Sequence, residues 1–161
     1  MKKSLLILAA IVLCGVVPSC SSDDEDDNPK TVTLSYHSES GCKAFVASSG
    51  APQAKAKFYN NIIERVTLRG NNKGVLSISH ENAVFTCEAQ FNITADVSGN
   101  TIVIHEDAPP TTNCICYYDL MSEVEPLENK TYMLIIKNNN AIVCMHQFRY
   151  SGSLYETFNV K

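Results

Sequence analysis

A long alternation of apolar and polar residues between Ala83 and Val97 constrains the fold of this chain most strongly. Every odd position in it is apolar and, with the exception of Val84, every even position is polar. A period of two residues is typical of a β-strand that has one face in a core and the other in water. The run therefore predicts a half-buried strand, and Ser98-Gly99-Asn100 after it predicts a hairpin turn.

The chain from Thr31 onward repeats this pattern in short segments that turn residues separate. The strongest turn signals are Gly70–Gly74, Pro126 and Asn138–Asn140, each flanked by short apolar-polar runs. Only 53–61 favours a short helix, through its Ala, Lys and Gln content. About nine strands at this spacing suit a sandwich or a barrel. We expect a single all-β domain over 31–161, an antiparallel two-layer β-sandwich of immunoglobulin-like type.

The first twenty residues are typical of an export signal. Two lysines precede an apolar run, Leu5–Val17, that is too short to anchor the chain stably in a bilayer. The residues that follow, up to Cys20, resemble a bacterial lipobox. That resemblance implies a lipoprotein signal peptide over 1–19, cleavage before Cys20, and acylation of Cys20 with palmitate-like chains. The alternative is an ordinary signal peptide that is cleaved near Cys20 without lipid attachment.

An acidic segment follows the predicted lipidation site. Asp23–Asp27 places five carboxylates in succession, which repel one another and predict a solvated tether over 20–30. One interpretation is a simple spacer. The other is an address, because the run resembles the acidic signal that sends lipoproteins of Bacteroidetes to the cell exterior. We therefore expect an outer-membrane protein, anchored through lipid on Cys20 and facing outward.

The charge balance of the chain argues against nucleic acid as a partner. The whole chain has 17 acidic and 13 basic residues, and beyond Asp27 it keeps 12 acidic and 11 basic ones. A nearly neutral domain without a cluster of Lys and Arg lacks the basic surface that nucleic-acid binding requires. The expected partners are instead the outer membrane, through Cys20, and a glycan or another protein.

The cysteines of the predicted domain indicate disulfide bridges, which are the default in an exported protein. Cys42, Cys87, Cys114 and Cys116 are the candidates, in a pairing that spacing leaves open, although strand neighbours such as Cys114 and Cys116 rarely pair with each other. Cys144 shares the apolar register of its strand with Ile142, Phe148 and Tyr150, which predicts a buried free thiol. A zinc site at the Cys-x-Cys segment is disfavoured by its spacing, and we expect no metal and no cofactor.

Three further groups of polar residues are candidate sites. His80-Glu81-Asn82 is expected at a turn after a strand and His105-Glu106-Asp107 at the end of a hairpin, and both are turns where a cation-assisted hydrolase could place its groups. Tyr117 and Asp119 share one strand face and are a weak candidate for binding sugar. Known nucleophile, phosphate-binding and metalloprotease motifs do not occur in the sequence, so no catalytic residue is predicted.

The lipobox, the acidic tether and the segments Gly41-Cys42-Lys43, His80-Glu81-Asn82-Ala83 and Cys114–Leu120 together resemble a group of small Bacteroidetes surface lipoproteins. The resemblance supports the predicted location at the cell surface and the predicted fold, and it implies no activity. Two functions remain open. The first is a non-catalytic binding module for a glycan, a host molecule or a partner lipoprotein. The alternative is a hydrolase or accessory enzyme subunit that uses the His80 and His105 turns.

Overall fold

The computed structural model describes residues 31–46, 62–110 and 112–160. The predicted signal peptide, the lipidation site at Cys20, the acidic tether and the predicted helix at 53–61 lie outside the described residues. Within the described part of the chain, no helix is long and apolar enough to span a membrane.

Ten β-strands make up the described fold, close to the predicted number. Their bounds are β1 (Thr33–Glu39), β2 (Ala44–Val46), β3 (Arg65–Gly70), β4 (Leu76–Thr86), β5 (Asn92–Ser98), β6 (Thr101–Asp107), β7 (Ile115–Glu125), β8 (Thr131–Asn138), β9 (Ala141–Arg149) and β10 (Tyr155–Asn159). The predicted turns at Gly70–Gly74, Ser98–Asn100 and Asn138–Asn140 each separate two antiparallel strands. Gly74, Gly99, Asn139 and Asn140 adopt the positive φ angles that such turns need.

The strands form two sheets that pack face to face. The larger sheet has the order β1-β7-β4-β3-β10, with β2 also beside β7, and the smaller sheet has the order β5-β6-β8-β9. Alternate side chains of both sheets point between them and are buried, among them Leu68 and Leu120 from the larger sheet and Ile104 and Leu134 from the smaller. The predicted two-layer β-sandwich is therefore confirmed.

One strand pair departs from the antiparallel expectation. β6 and β8 are parallel, whereas all other strand pairs of the described residues are antiparallel. The cause is β7, which lies between them in sequence but belongs to the larger sheet. The chain leaves the smaller sheet after β6 and returns to it in the same direction with β8.

The long alternating run is two strands, and the prediction of a single strand is wrong. β4 ends at Thr86 and β5 begins at Asn92, with Glu88 at a φ of 60° in the turn between them. The alternation nevertheless indicates correctly that apolar side chains between the two strands pack inward. Phe91 packs edge-on against Phe85, with ring centroids 4.8 Å apart. Apolar side chains in a tight turn can thus continue the periodicity of a strand.

The prediction that His80 lies at a turn is also wrong. β4 runs on past this residue, and only its register with β7 shifts between His80 and Ala83. This bulge accommodates Asn82, whose φ is 60°. His80 is consequently an interior residue of a central strand, and its side chain is 1% exposed.

Two disulfide bridges attach neighbouring chain segments to the beginning of β7. Cys42 pairs with Cys116 and Cys87 with Cys114, at Cα–Cα distances of 5.6 and 5.4 Å. The four candidates from the sequence are therefore the four bridged cysteines, and the pairing that spacing left open is resolved. Cys144 is a free, buried thiol, as predicted.

Candidate functional site

An interior cluster of His80, Glu106 and Glu64 joins the two sheets. The inward register of β4 points His80 at β6, where Glu106 continues the buried row of Ile102 and Ile104. The ring nitrogens of His80 contact one carboxylate each: Nδ1 lies 2.8 Å from Oε2 of Glu106, and Nε2 lies 2.9 Å from Oε1 of Glu64. Glu106 is 2% exposed and Glu64 is 25% exposed.

The two carboxylates hold the His80 ring in its protonated form. Burial alone lowers the pKa of this imidazole, but hydrogen bonds to Glu106 and Glu64 and the attraction of both charges raise it to about 9. At neutral pH both ring N–H groups of His80 therefore donate to carboxylates. A protonated imidazole without a free nitrogen cannot act as a general base, so this interior cluster is an ionic bridge between the sheets.

Cys144 lies in the field of the same carboxylates and is equally unsuited to catalysis. Burial, with the negative charges of Glu106 and Glu64, raises the pKa of its thiol to about 11. A nucleophilic cysteine needs a lowered pKa and access to substrate. Cys144 is 7% exposed, and its thiol stays protonated at neutral pH.

The two histidine segments do not converge. His105 follows the outward register of β6 and contacts Asp96 on the neighbouring strand, with Nε2 3.0 Å from Oδ2. His80 lies between the sheets, so the two imidazoles are separated by the smaller sheet. Among residues 31–46, 62–110 and 112–160, no group of three or more His, Cys, Asp or Glu side chains is placed to hold a metal ion.

Tyr117 and Asp119 lie on the outer face of β7, on the same side as predicted, but the carboxylate is already occupied. Lys43 Nζ contacts both oxygens of Asp119, at 2.7 and 2.9 Å, and the backbone N–H of Asn82 donates to Oδ1 at 3.0 Å. Tyr117 is half-buried. Asp119 therefore links the β4 bulge to the segment before β2, and its carboxylate is not free to bind a sugar.

A groove between the two edge strands β9 and β10 holds a third histidine. Its volume is about 270 Å³. His146 stacks on Phe158 with ring centroids 3.8 Å apart, and its Nε2 lies 2.8 Å from Oε1 of Glu156. These contacts bind the two sheets together at their edge and leave the groove mainly apolar.

The outer face of the larger sheet has a different character, which the strand register explains. Its central row consists of short side chains and one methionine, placed side by side across four strands: Thr157, Thr67, Ser79 and Met121. The flanking rows carry long polar side chains. One is Asn159, Arg65 and Glu81, and the other is Tyr155, Arg69, Ser77 and Glu123. We call these three rows the outer trough.

The outer trough contains a depression of about 280 Å³. Thr67 at its floor is 6% exposed, although it points away from the core, because the flanking rows rise above it. Its hydroxyl lies 3.0 Å from that of Thr157. The floor thus presents three hydroxyl groups and one methionine, and it is most shielded from solvent at Thr67.

Charges of both signs line the outer trough. Arg65 contacts Glu81, with Nε 3.4 Å from Oε2, and Ser77 donates to Oε1 of Glu123 at 2.8 Å. The guanidinium carbon of Arg69 lies 4.8 Å from the centre of the Tyr155 ring, and within the described residues this guanidinium pairs with no carboxylate. The trough therefore offers donors and acceptors together, without a net charge.

Sequence reasoning did not identify the outer trough. The outward polar positions of β3 and β4 were visible as alternation, but the neighbours of β3 were not, since Thr67 pairs with Thr157, 90 residues away. A signal for the interior cluster did exist. The period of two in β6 places Glu106 in line with Ile102 and Ile104, which marks it as a buried carboxylate in need of a partner.

Comparisons of this chain with protein-family models, curated proteins and solved structures found no match in any of the three.

Proposed function

We propose that this chain is a surface-exposed outer-membrane lipoprotein that acts as a non-catalytic binding module. The anchoring part of the proposal rests on the sequence: an apolar run that ends at Cys20, followed by the carboxylates of Asp23–Asp27. Lipid on Cys20 would hold the domain at the membrane, and the tether would place it outside.

One observation carries the binding part of the proposal. In the interior cluster, three ionisable groups of the described residues meet, but they are bonded to one another, and His80 and Glu106 are almost completely buried. The solvent-accessible polar side chains that lie close together are instead those of the outer trough, which resembles a contact surface rather than a reaction centre. A binding module needs such a surface and needs no perturbed, accessible acid or base.

The proposal is tested by protease treatment of intact cells that express the full chain. We expect external protease to cut the protein in intact cells, and replacement of Asp23–Asp27 by alanine to protect it until the cells are permeabilised. A matched control replaces the exposed acids Glu39, Asp96 and Glu128, and it should remain accessible. Protection of the original chain would contradict surface exposure.

Acylation and catalysis are tested separately. Metabolic labelling with an alkyne fatty acid should mark the chain, and Cys20→Ala should abolish the label. A panel of hydrolase substrates should show no turnover by the purified full chain. Turnover that the Glu106→Gln substitution abolishes would contradict the binding-module proposal and support an enzyme instead.

A further inference from the structure

We propose that the outer trough binds a neutral, linear glycan that lies across the strands of the larger sheet. This inference rests on the proposed function, because it names the ligand class of the binding module. It is argued from the shape of the trough, its hydrogen-bonding groups and its charge balance.

The shape of the outer trough fits an extended chain. Its floor crosses four adjacent strands, with hydroxyl groups on β10, β3 and β4 and Met121 on β7. Three strand spacings give a length of about 14 Å, and the flanking rows, four residues apart along each strand, stand about 13 Å from each other. A short oligosaccharide laid perpendicular to the strands matches this length, whereas a compact small molecule would leave most of the floor uncovered.

The hydrogen-bonding groups of the trough suit a polyol. Hydroxyl groups of Thr157, Thr67 and Ser79 both donate and accept, as sugar hydroxyls do. The guanidinium of Arg69 brings further donors that no carboxylate of the described residues occupies, and Glu123 brings acceptors at the other end of the same row. The exposed ring of Tyr155, 66% accessible, adds an apolar wall for the C–H faces of a sugar.

The charge balance decides between neutral and charged ligands. The two arginines of the trough lie on β3, and the two glutamates lie on β4 and β7. A polyanion would be attracted by the arginines but repelled by Glu81 and Glu123. A polycation would be attracted by the glutamates but repelled by Arg65 and Arg69. A neutral chain of hydroxyl groups avoids this conflict and can bond to both signs.

The test measures binding of the purified full chain, in detergent, to two sets of polysaccharides. The neutral set contains linear glucans, mannans and xylans, and the charged set contains polygalacturonate and heparin. Calorimetry should detect binding to at least one neutral member, with an affinity that changes little between low and high salt.

Two substitutions locate the binding in the trough. Arg69→Ala should weaken it about tenfold, since hydrogen bonds from a charged donor are lost. Ser79→Tyr should remove it, because the new ring fills the floor while it points away from the core. Matched controls are Arg149→Ala and Gln147→Tyr, which change exposed residues of β9 on the smaller sheet. Both controls should bind within about twofold of the original chain.

Several results would overturn the inference. These are absence of binding to every neutral polysaccharide, binding to charged members alone, or equal affinity of the original chain and of Arg69→Ala and Ser79→Tyr variants that melt at the original temperature. A homodimer that Ser79→Tyr dissociates would assign this face to a second copy instead. If the chain is accessible to external protease but binds no neutral glycan, only the ligand class fails. If it binds such a glycan but stays protected in cells, only the surface location fails.

Discussion

The interior cluster and the outer trough use the same kinds of side chain with opposite results. In the cluster, His80 satisfies both ring nitrogens with Glu106 and Glu64, and two of the three side chains are almost completely buried. In the trough, Arg69 has no carboxylate partner in the described residues, and its side chain is exposed. Charged side chains that pair with one another stabilise the fold, whereas a charged side chain without such a partner is available to a ligand.

The comparison teaches that proximity of a histidine and two acids does not by itself indicate catalysis. In the sequence, His80 is followed by Glu81 and His105 by Glu106. In the fold, the contact is instead between His80 and Glu106, which are 26 residues apart. However, the contact lies between two sheets, where no substrate reaches it, and the ring is protonated. What separates a structural ionic group from a reactive one is access and the protonation state, and neither can be read from spacing.

The largest expected effect comes from removing one partner of the interior cluster. Glu106→Ala leaves a buried imidazolium with one unpaired N–H, and breaking a buried ion pair in this way costs about 3–5 kcal/mol of unfolding free energy. Glu123→Ala, the matched substitution in the outer trough, should cost less than about 1 kcal/mol, because its carboxylate is partly solvated. Denaturant unfolding of both variants measures the difference. Equal losses would show that the two regions do not differ in the way we describe.

The strand pattern allowed much of the fold to be predicted. Alternation and turn residues identify the sandwich and most strands, because burial on one face of a sheet imposes a period of two. The four bridged cysteines were predicted on a different ground, the export signal, with Cys144 set apart by its apolar register. The errors lie at irregularities. Ile142 shares the apolar parity of Cys144 but is 56% exposed, since the register of β8 and β9 shifts between Ile136 and Lys137. Such a bulge moves the residues beyond it to the opposite face of the sheet, and nothing in the local composition signals it.

The candidate site was harder to predict than the fold. Tyr117 and Asp119 were placed on the correct face, yet the contact of Asp119 with Lys43 joins residues 76 apart in sequence. The outer trough depends in the same way on β10 pairing with β3. Local pattern predicts which face a side chain takes, whereas long-range strand order determines its neighbours.

A second expected effect is a pH dependence that belongs to the interior cluster alone. The pKa of His80 is about 9 in the folded chain against 6.5 for an ordinary histidine, so protonation of His80 stabilises the fold fully below pH 6.5. This contribution, about 3 kcal/mol for such a shift, is lost as the pH rises through 9. Unfolding free energies measured between pH 6 and 9 should fall accordingly, before the buried thiol of Cys144 begins to contribute near pH 9–11.

Two histidine variants sharpen the assignment of that pH dependence. His80→Gln should flatten the profile between pH 6.5 and 9, because the group that titrates there is gone. His105→Gln, which removes an outward-facing imidazole paired with Asp96, should leave the profile unchanged. A slope that survives in His80→Gln would place the titrating group elsewhere and would remove the evidence for a protonated bridge between the sheets.

The smallest expected effect is on the stability of the outer trough. Arg69→Ala removes a guanidinium that lies over the Tyr155 ring, and cation–π contacts at exposed sites contribute about 0.5–1 kcal/mol. Arg149→Ala should change the unfolding free energy by less than about 0.5 kcal/mol, as is usual for exposed positions. Thermal and denaturant unfolding distinguish these values from the loss expected for Glu106→Ala. A loss of several kcal/mol at Arg69 would mean that the trough, like the interior cluster, holds the fold together, and its open charge would then need no ligand to explain it.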